Sequence, residues 1–137
     1  MMPISDLPTL ISSMNPVLND GVYYFATLTK NIPPTDIIAS IYEQEGLSVV
    51  ISEQTAKQHN LATQFKSAWI TLNAHSDLSA IGLTATFAKA LSDVGISCNV
   101  VAGNHHDHIF VPFDKKELAI QTLLALQQSA NSSKHLV

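Results

Sequence analysis

Residues 81–103 read IGLTATFAKALSDVGISCNVVAG, a helix, a stop and a strand in immediate succession. Leu83, Phe87, Ala90, Leu91 and Val94 recur at helical spacing and mark one apolar face. Gly95 ends that helix, and residues 96–102 (ISCNVVA) have the apolar, β-branched composition of a strand. Before this stretch, Ala68, Ile70, Leu72 and Ala74 alternate with Trp69, Thr71 and Asn73, the period of two that predicts a strand. After it, Gly103-Asn104 opens a turn and HIFVPF (residues 108–113) returns as the second arm of a hairpin. Asp114 is placed to cap a last helix whose apolar side is Leu118, Ile120, Leu123, Leu124 and Leu126. The small, polar tail SANSSKHLV (residues 129–137) is expected to fray.

The order strand, helix, hairpin, helix predicts an α+β fold with an antiparallel sheet and helices packed on one face, not a doubly wound parallel sheet. A ferredoxin-like unit needs one more strand after the last helix, and the tail cannot supply it. The N-terminal half must fill that slot, so the two halves are expected to be interdependent. That half reads as shorter elements. Leu7, Leu10, Ile11 and Met14 mark a short helix capped by Asp6 and ended before Pro16. Asn19-Asp20-Gly21 is a turn signal, followed by a strand over residues 22–29. Pro33-Pro34 breaks that strand. Thr35 is placed to cap a helix carrying Ile37, Ile38 and Ile41, with Gly46 as its end and a strand over residues 47–51 beyond it. The polar residues 53–60 predict one or two surface helical turns.

With Gly82 as origin, Phe87 falls five residues later, Leu91 nine, and Gly95-Ile96 thirteen and fourteen. In this spacing about the last 70 residues resemble the core of an ACT domain, the β-α-β-β-α-β module that senses amino acids in metabolic enzymes. His75-Ser76-Asp77 stands at the strand-to-helix loop, where that family usually carries an acidic residue. Ile81 replaces a frequent proline, the loop from Asp77 to Gly82 is longer than usual, and Ser97 takes the place of a common asparagine. The whole chain is similar to small stand-alone proteins with tandem ACT-like units, related in arrangement to the regulatory region of aspartokinase. The resemblance implies two ferredoxin-like units, residues 1–64 and 65–137, with strands exchanged between them, that pair further into a homodimer. It also implies a regulatory, non-enzymatic role.

Composition narrows the function classes. The chain has 137 residues, 46% hydrophobic and 13% charged, which excludes an intrinsically disordered polymer. No apolar run approaches the length of a membrane span, and the N-terminus lacks a signal-peptide pattern, so a cytoplasmic protein is expected. All seven basic residues are scattered lysines against a net charge of −4, so no face is basic enough for nucleic acid. The single cysteine, Cys98, alternates with the apolar side of its strand and reads as a buried, inert thiol. Trp69 has two readings, packed beneath helices or placed at a subunit contact. Nothing resembles a glycine-rich phosphate loop, a serine nucleophile elbow or a paired-carboxylate site, and no cofactor is expected.

Two constellations carry chemistry. The first is the start of the Gly82 helix. Its N–H groups around Ile81, Gly82 and Leu83 are placed to receive a ligand carboxylate, Asp77 an ammonium group, and Asn99 on the next strand an amide contact. The competing reading is ordinary capping by Ser76, Asp77 or Ser79. The second is Asn104-His105-His106-Asp107-His108, whose donors suit Zn²⁺ or Ni²⁺. Alternation along a strand separates His105 from His106 and lets His106 pair with His108, leaving a third ligand to come from His75. The competing reading is a polar hairpin turn in which Asp107 orients an imidazole or caps the turn. The favoured function is a small-molecule-binding module for an amino acid or related metabolite. The alternative is a metal-binding protein or metal-dependent enzyme built on the histidine cluster.

Overall fold

Asp6 caps the first helix: its carboxylate accepts the Thr9 N–H at 3.1 Å and opens α1 (Leu7–Ser12), which turns Leu10 and Ile11 into the core. The structure is a computed structural model that describes residues 6–75 and 77–135. β1 (Val17–Leu28) follows, then a 3-10 turn (Pro34–Asp36), β2 (Ala39–Glu43), β3 (Gly46–Ser52), α2 (Glu53–Gln58) and β4 (Gln64–Leu72). The second half continues with α3 (Leu83–Asp93), β5 (Asn99–Ala102), β6 (Asp107–Pro112), a 3-10 turn (Phe113–Lys115) and α4 (Lys116–His135).

The strands form one six-stranded antiparallel sheet in the order β2-β3-β1-β4-β6-β5. β1 lies against β4 with Val17 opposite Thr71 and Asn19 opposite Trp69, in the position of the fourth strand that the β4–α3–β5–β6–α4 order lacks. β4 in turn flanks the β1–β2–β3 group on its open side. The fold is therefore α+β, built of ferredoxin-like units around a shared central strand pair.

The helices pack on one face. Against α1, α3 and α4, Ala68, Ile70, Leu72, Ile109 and Val111 form the larger core with Leu10, Met14, Phe87, Leu91 and Leu123. Ile32, Val49, Ile51 and Ala56 form a smaller core at α2. The opposite face carries a row of rings: Trp69 stacks on Phe110 at 6.1 Å, with Tyr23 and Phe25 edge-on at its ends. Trp69 thus packs away from the helices rather than beneath them.

Several expectations are corrected. The segment after Pro33-Pro34 is a strand, not a helix. Ile37 is already extended, the Ile38 N–H donates to Val50 O at 2.9 Å, and the β-branched and aromatic residues favour that pairing. Gly46, at φ +141°, closes the β2–β3 hairpin. Asn19-Asp20-Gly21 is an irregularity inside β1 rather than a turn before it. Gly21 takes φ +104° and the register shifts, while the Asn19 amide donates to Trp69 O and Thr71 Oγ1 and so keeps the segment tied to β4.

Residues 96–98 belong to the helix stop. Gly95 (φ +78°) donates to Ser92 O, the Ile96 N–H returns to Leu91 O at 2.9 Å, and Ile96 is buried in the same core as Leu91. Asp114 sits within a 3-10 turn that has no side-chain cap. The last helix runs on to His135, where fraying was expected. Ala130 packs against the core, and the Gln127 amide donates to Ser12 O and Asn15 Oδ1 while accepting the Asn15 N–H. Leu136 and Val137 lie outside the described residues.

Candidate functional site

α3 starts without a side-chain cap. Its N-cap is Gly82 at φ +103°, and the first intrahelical bond runs from Thr86 N–H to Gly82 O. The N–H groups of Leu83, Thr84 and Ala85 precede that bond and have no partner within the helix. Glycine suits this position because the backbone is left-handed; a Cβ would also press on Leu7 Cδ2, at 3.0 Å. The approach to the helix is a tight turn in which Asp77 Oδ1 accepts the Ser79 N–H at 2.8 Å and Asp77 O accepts the Ala80 N–H. Asp77 thus closes its own turn, not the helix. Ser76, the other candidate cap, lies outside the described residues.

A cavity of about 150 Å³ opens beside this helix start. The Asp77–Ala80 turn and Gly82, Leu83 and Thr84 line one side; Ala102 and Asp107, at the turn end of the β5–β6 hairpin, line the other. Of the residues expected at the site, the structure brings together Asp77, Gly82 and Leu83. The Ile81 side chain is 87% exposed and stands outside the cavity, and Asn99 sits at the far end of β5, where Ala102 is the residue that reaches the site.

Asp107 is the residue that sequence reasoning passed over in this role. It is 8% exposed, and among the described residues nothing hydrogen-bonds its carboxylate. Burial pushes its pKa up, with the attraction of His108 partly opposing. A signal was present: Asp107 alternates with Ile109 and Val111, both core residues, so a carboxylate at an inward strand position marked a buried charge.

The histidines divide differently from the strand-alternation expectation. His108 turns to the ring-bearing face, where its Nδ1 accepts Trp69 Nε1–H at 3.0 Å and lies 3.2 Å from Thr71 Oγ1. His105 and His106 belong to the hairpin turn, where alternation does not apply, and both meet His75, with centroids 5.3 and 6.4 Å away. His106 and His108 therefore do not converge, and among the described residues no group of three His, Cys, Asp or Glu side chains has metal-holding geometry. Burial pushes the Cys98 thiol up to about 11, which leaves little nucleophilic thiolate at neutral pH.

His108 has a pKa lowered by burial and then by His106, against a smaller raising effect from Asp107. The unfolded chain, with a value near 6.5, binds more protons than the folded one across the window between the two values. Stability supplied by neutral His108 is therefore complete above that window and is lost as pH falls below about 6.5 toward the folded value. Thermal melts of the wild type and His108→Gln from pH 7.5 to 5 (roughly spanning that window) are expected to show a flatter pH profile for the variant. Parallel profiles would remove His108 as the source.

Known proteins match the chain in family and fold. Residues 2–68 match one ACT domain model and residues 64–125 match a second, overlapping at the start of β4. No curated protein matches the chain. Among solved structures, a Vibrio cholerae protein of unknown function, described as a possible transport protein, is 41% identical. The match covers 88% of this chain and 95% of that one, with a TM-score of 0.76. An Agrobacterium tumefaciens protein shares 19% identity over 82% of this chain and 87% of its own, at a TM-score of 0.64. The ligand-free regulatory subunit of aspartate kinase from Thermus thermophilus shares the fold at 8% identity, covering 83% and 97% of the two chains, with a TM-score of 0.61.

Proposed function

From the premise that this chain belongs to the ACT domain family, we propose that it is a regulatory module that binds an amino acid or related metabolite at the start of α3 and carries out no chemistry on it. One observation carries the reading: the uncapped start of α3 and two acidic residues, Asp77 and Asp107, line the same small cavity. The helix end attracts a carboxylate through its free N–H groups and its dipole. The aspartates attract an ammonium. A zwitterion requires both within a few ångströms, and the site provides both without arginine. The likeness to an aspartate kinase regulatory subunit supports the regulatory role by fold. In this reading the protein works in the cytoplasm as a homodimer. Among the described residues no helix is long and apolar enough to cross a membrane.

Calorimetric titration of the full chain with the common amino acids is expected to give saturable binding by at least one of them, and its absence across the set would end the proposal. Asp77→Ala is expected to weaken that binding by about 1–3 kcal/mol, the range for losing a charged hydrogen-bond partner, with the fold retained. If affinity holds while the melting temperature drops, Asp77 serves only the turn it closes on Ser79.

A further inference from the structure

We propose that the cleft between Trp69 and α2 is a further binding site, for a neutral, ring-shaped polyol of the size of a monosaccharide. It shares no lining residue with the cavity at the start of α3 and does not depend on the function proposed there.

The cleft lies at one end of the ring-bearing face and has a volume of about 380 Å³. Trp69 and Tyr23 give it an apolar wall, and Thr35, Asp36, Gln54 and Gln58 supply polar side chains around that wall. Both rings are fixed by their polar ends. Trp69 Nε1–H donates to His108 Nδ1 at 3.0 Å, and the Tyr23 hydroxyl donates to Asp20 O at 2.6 Å. The rings also meet edge to face, with centroids 5.3 Å apart. With those donors engaged inside the protein, the two side chains present rigid hydrocarbon surface to the cleft. The C–H face of a sugar ring is complementary to such a surface, and its rim of hydroxyls needs polar partners at the edges. Gln54 and Gln58 stand one turn apart on α2, and each amide both donates and accepts, as a hydroxyl does. Asp36 adds an acceptor that lacks a donor. Its Oδ2 is 3.8 Å from His59 Nε2, beyond hydrogen-bond reach, and that buried nitrogen has no partner among the described residues. A ligand hydroxyl supplies the donor that His59 does not.

Charge and size set the ligand class. Asp36 is the only charged side chain in the lining, with no lysine to balance it, so an anion is repelled. A compact ammonium would meet Asp36 but leave the rings and the glutamine pair uncovered. At about 30 Å³ for each water-sized group, the cleft takes roughly twelve to thirteen of them, and a hexose has about twelve non-hydrogen atoms.

Trp69 is the single tryptophan of the chain, so its fluorescence reports on this cleft. Titration of the full-length protein with glucose, galactose, mannose and myo-inositol is expected to give a saturable change with at least one of them, at a Kd on the order of 1 mM. Glucuronate and methylamine, the charged probes, are expected to bind at least about tenfold more weakly. Asp36→Ala is expected to lower the affinity for the polyol at least about tenfold. Gln58→Ala, at an exposed helix position where truncation changes stability little, is expected to lower it at least about fivefold at an unchanged melting temperature, and it carries the test if Asp36→Ala does not fold. No saturable change with any of the four polyols overturns the site. Unchanged affinity in Gln58→Ala, or in a folded Asp36→Ala, overturns the placement of the ligand. Glucuronate or methylamine binding as tightly as the polyol overturns the ligand class.

Discussion

A fragment comprising residues 65–137 is expected to show no cooperative unfolding transition, although it contains all of β4 but Gln64 and every later element through α4. Without β1, β4 loses the partner along its outer edge and leaves a row of unpaired N–H and C=O groups. Without α1 and the residue that follows its cap, the main core loses Leu10, Ile11 and Met14, two of them fully buried. Each such side chain contributes about 1.5–3 kcal/mol. Their sum is a large share of the about 5–15 kcal/mol that holds a domain of this size. The Gln127 contacts with Ser12 and Asn15, which tie α4 to the N-terminal segment, go as well. Far-UV circular dichroism on heating is the measurement. A sharp, reversible melt from the fragment would show that residues 65–137 form a self-sufficient unit and would overturn the interdependence.

Phe87→Ala is expected to destabilise the full chain by about 3–5 kcal/mol, as for large aromatic truncations in a tightly packed core. Phe87 has no exposed surface and holds the middle of α3 against the sheet among Leu72, Leu91 and Ile109. Its loss leaves a cavity beneath the helix whose first turn lines the candidate site. Amino-acid affinity is therefore expected to fall together with stability. Leu118→Ala, on a side chain 39% exposed, supplies the comparison and is expected to cost less than about 1 kcal/mol. Urea denaturation with a constant slope is the readout. A Phe87→Ala cost no larger than that of Leu118→Ala would mean that α3 is not anchored through this ring.

The sequence by itself determined those features whose cause lies within one or two turns of chain. Asp6 with Thr9 specified the first helix start, the apolar spacing from Leu83 to Leu91 specified α3, and Gly95 specified its end. Alternation marked β4, and the strand missing after the last helix required a loan from the N-terminal half, which β1 supplies. In the candidate site, the helix start at Gly82 and the acidic loop residue Asp77 were legible for the same reason, since glycine and turn-forming aspartate act locally.

Tertiary structure alone decided the features that depend on a distant partner. Ile37 and Ile38 suit a helix or a strand equally by pattern, and only the Val50 carbonyl waiting on β3 selects the strand. The Asn19-Asp20-Gly21 turn signal is overridden because Asn19 bonds to β4, and the polar tail stays helical because Gln127 and Ala130 are held by α1 and the core. Asp107, not Asn99, lines the cavity at the start of α3, and His75 joins His105 and His106 but not His108, because the register of β5 on β6 and the turn between them set which residues meet across the hairpin. Local sequence encodes period and caps at short range. Which face and which partner a residue meets is fixed by pairings between strands far apart in the chain, and their energies appear only once the sheet is assembled.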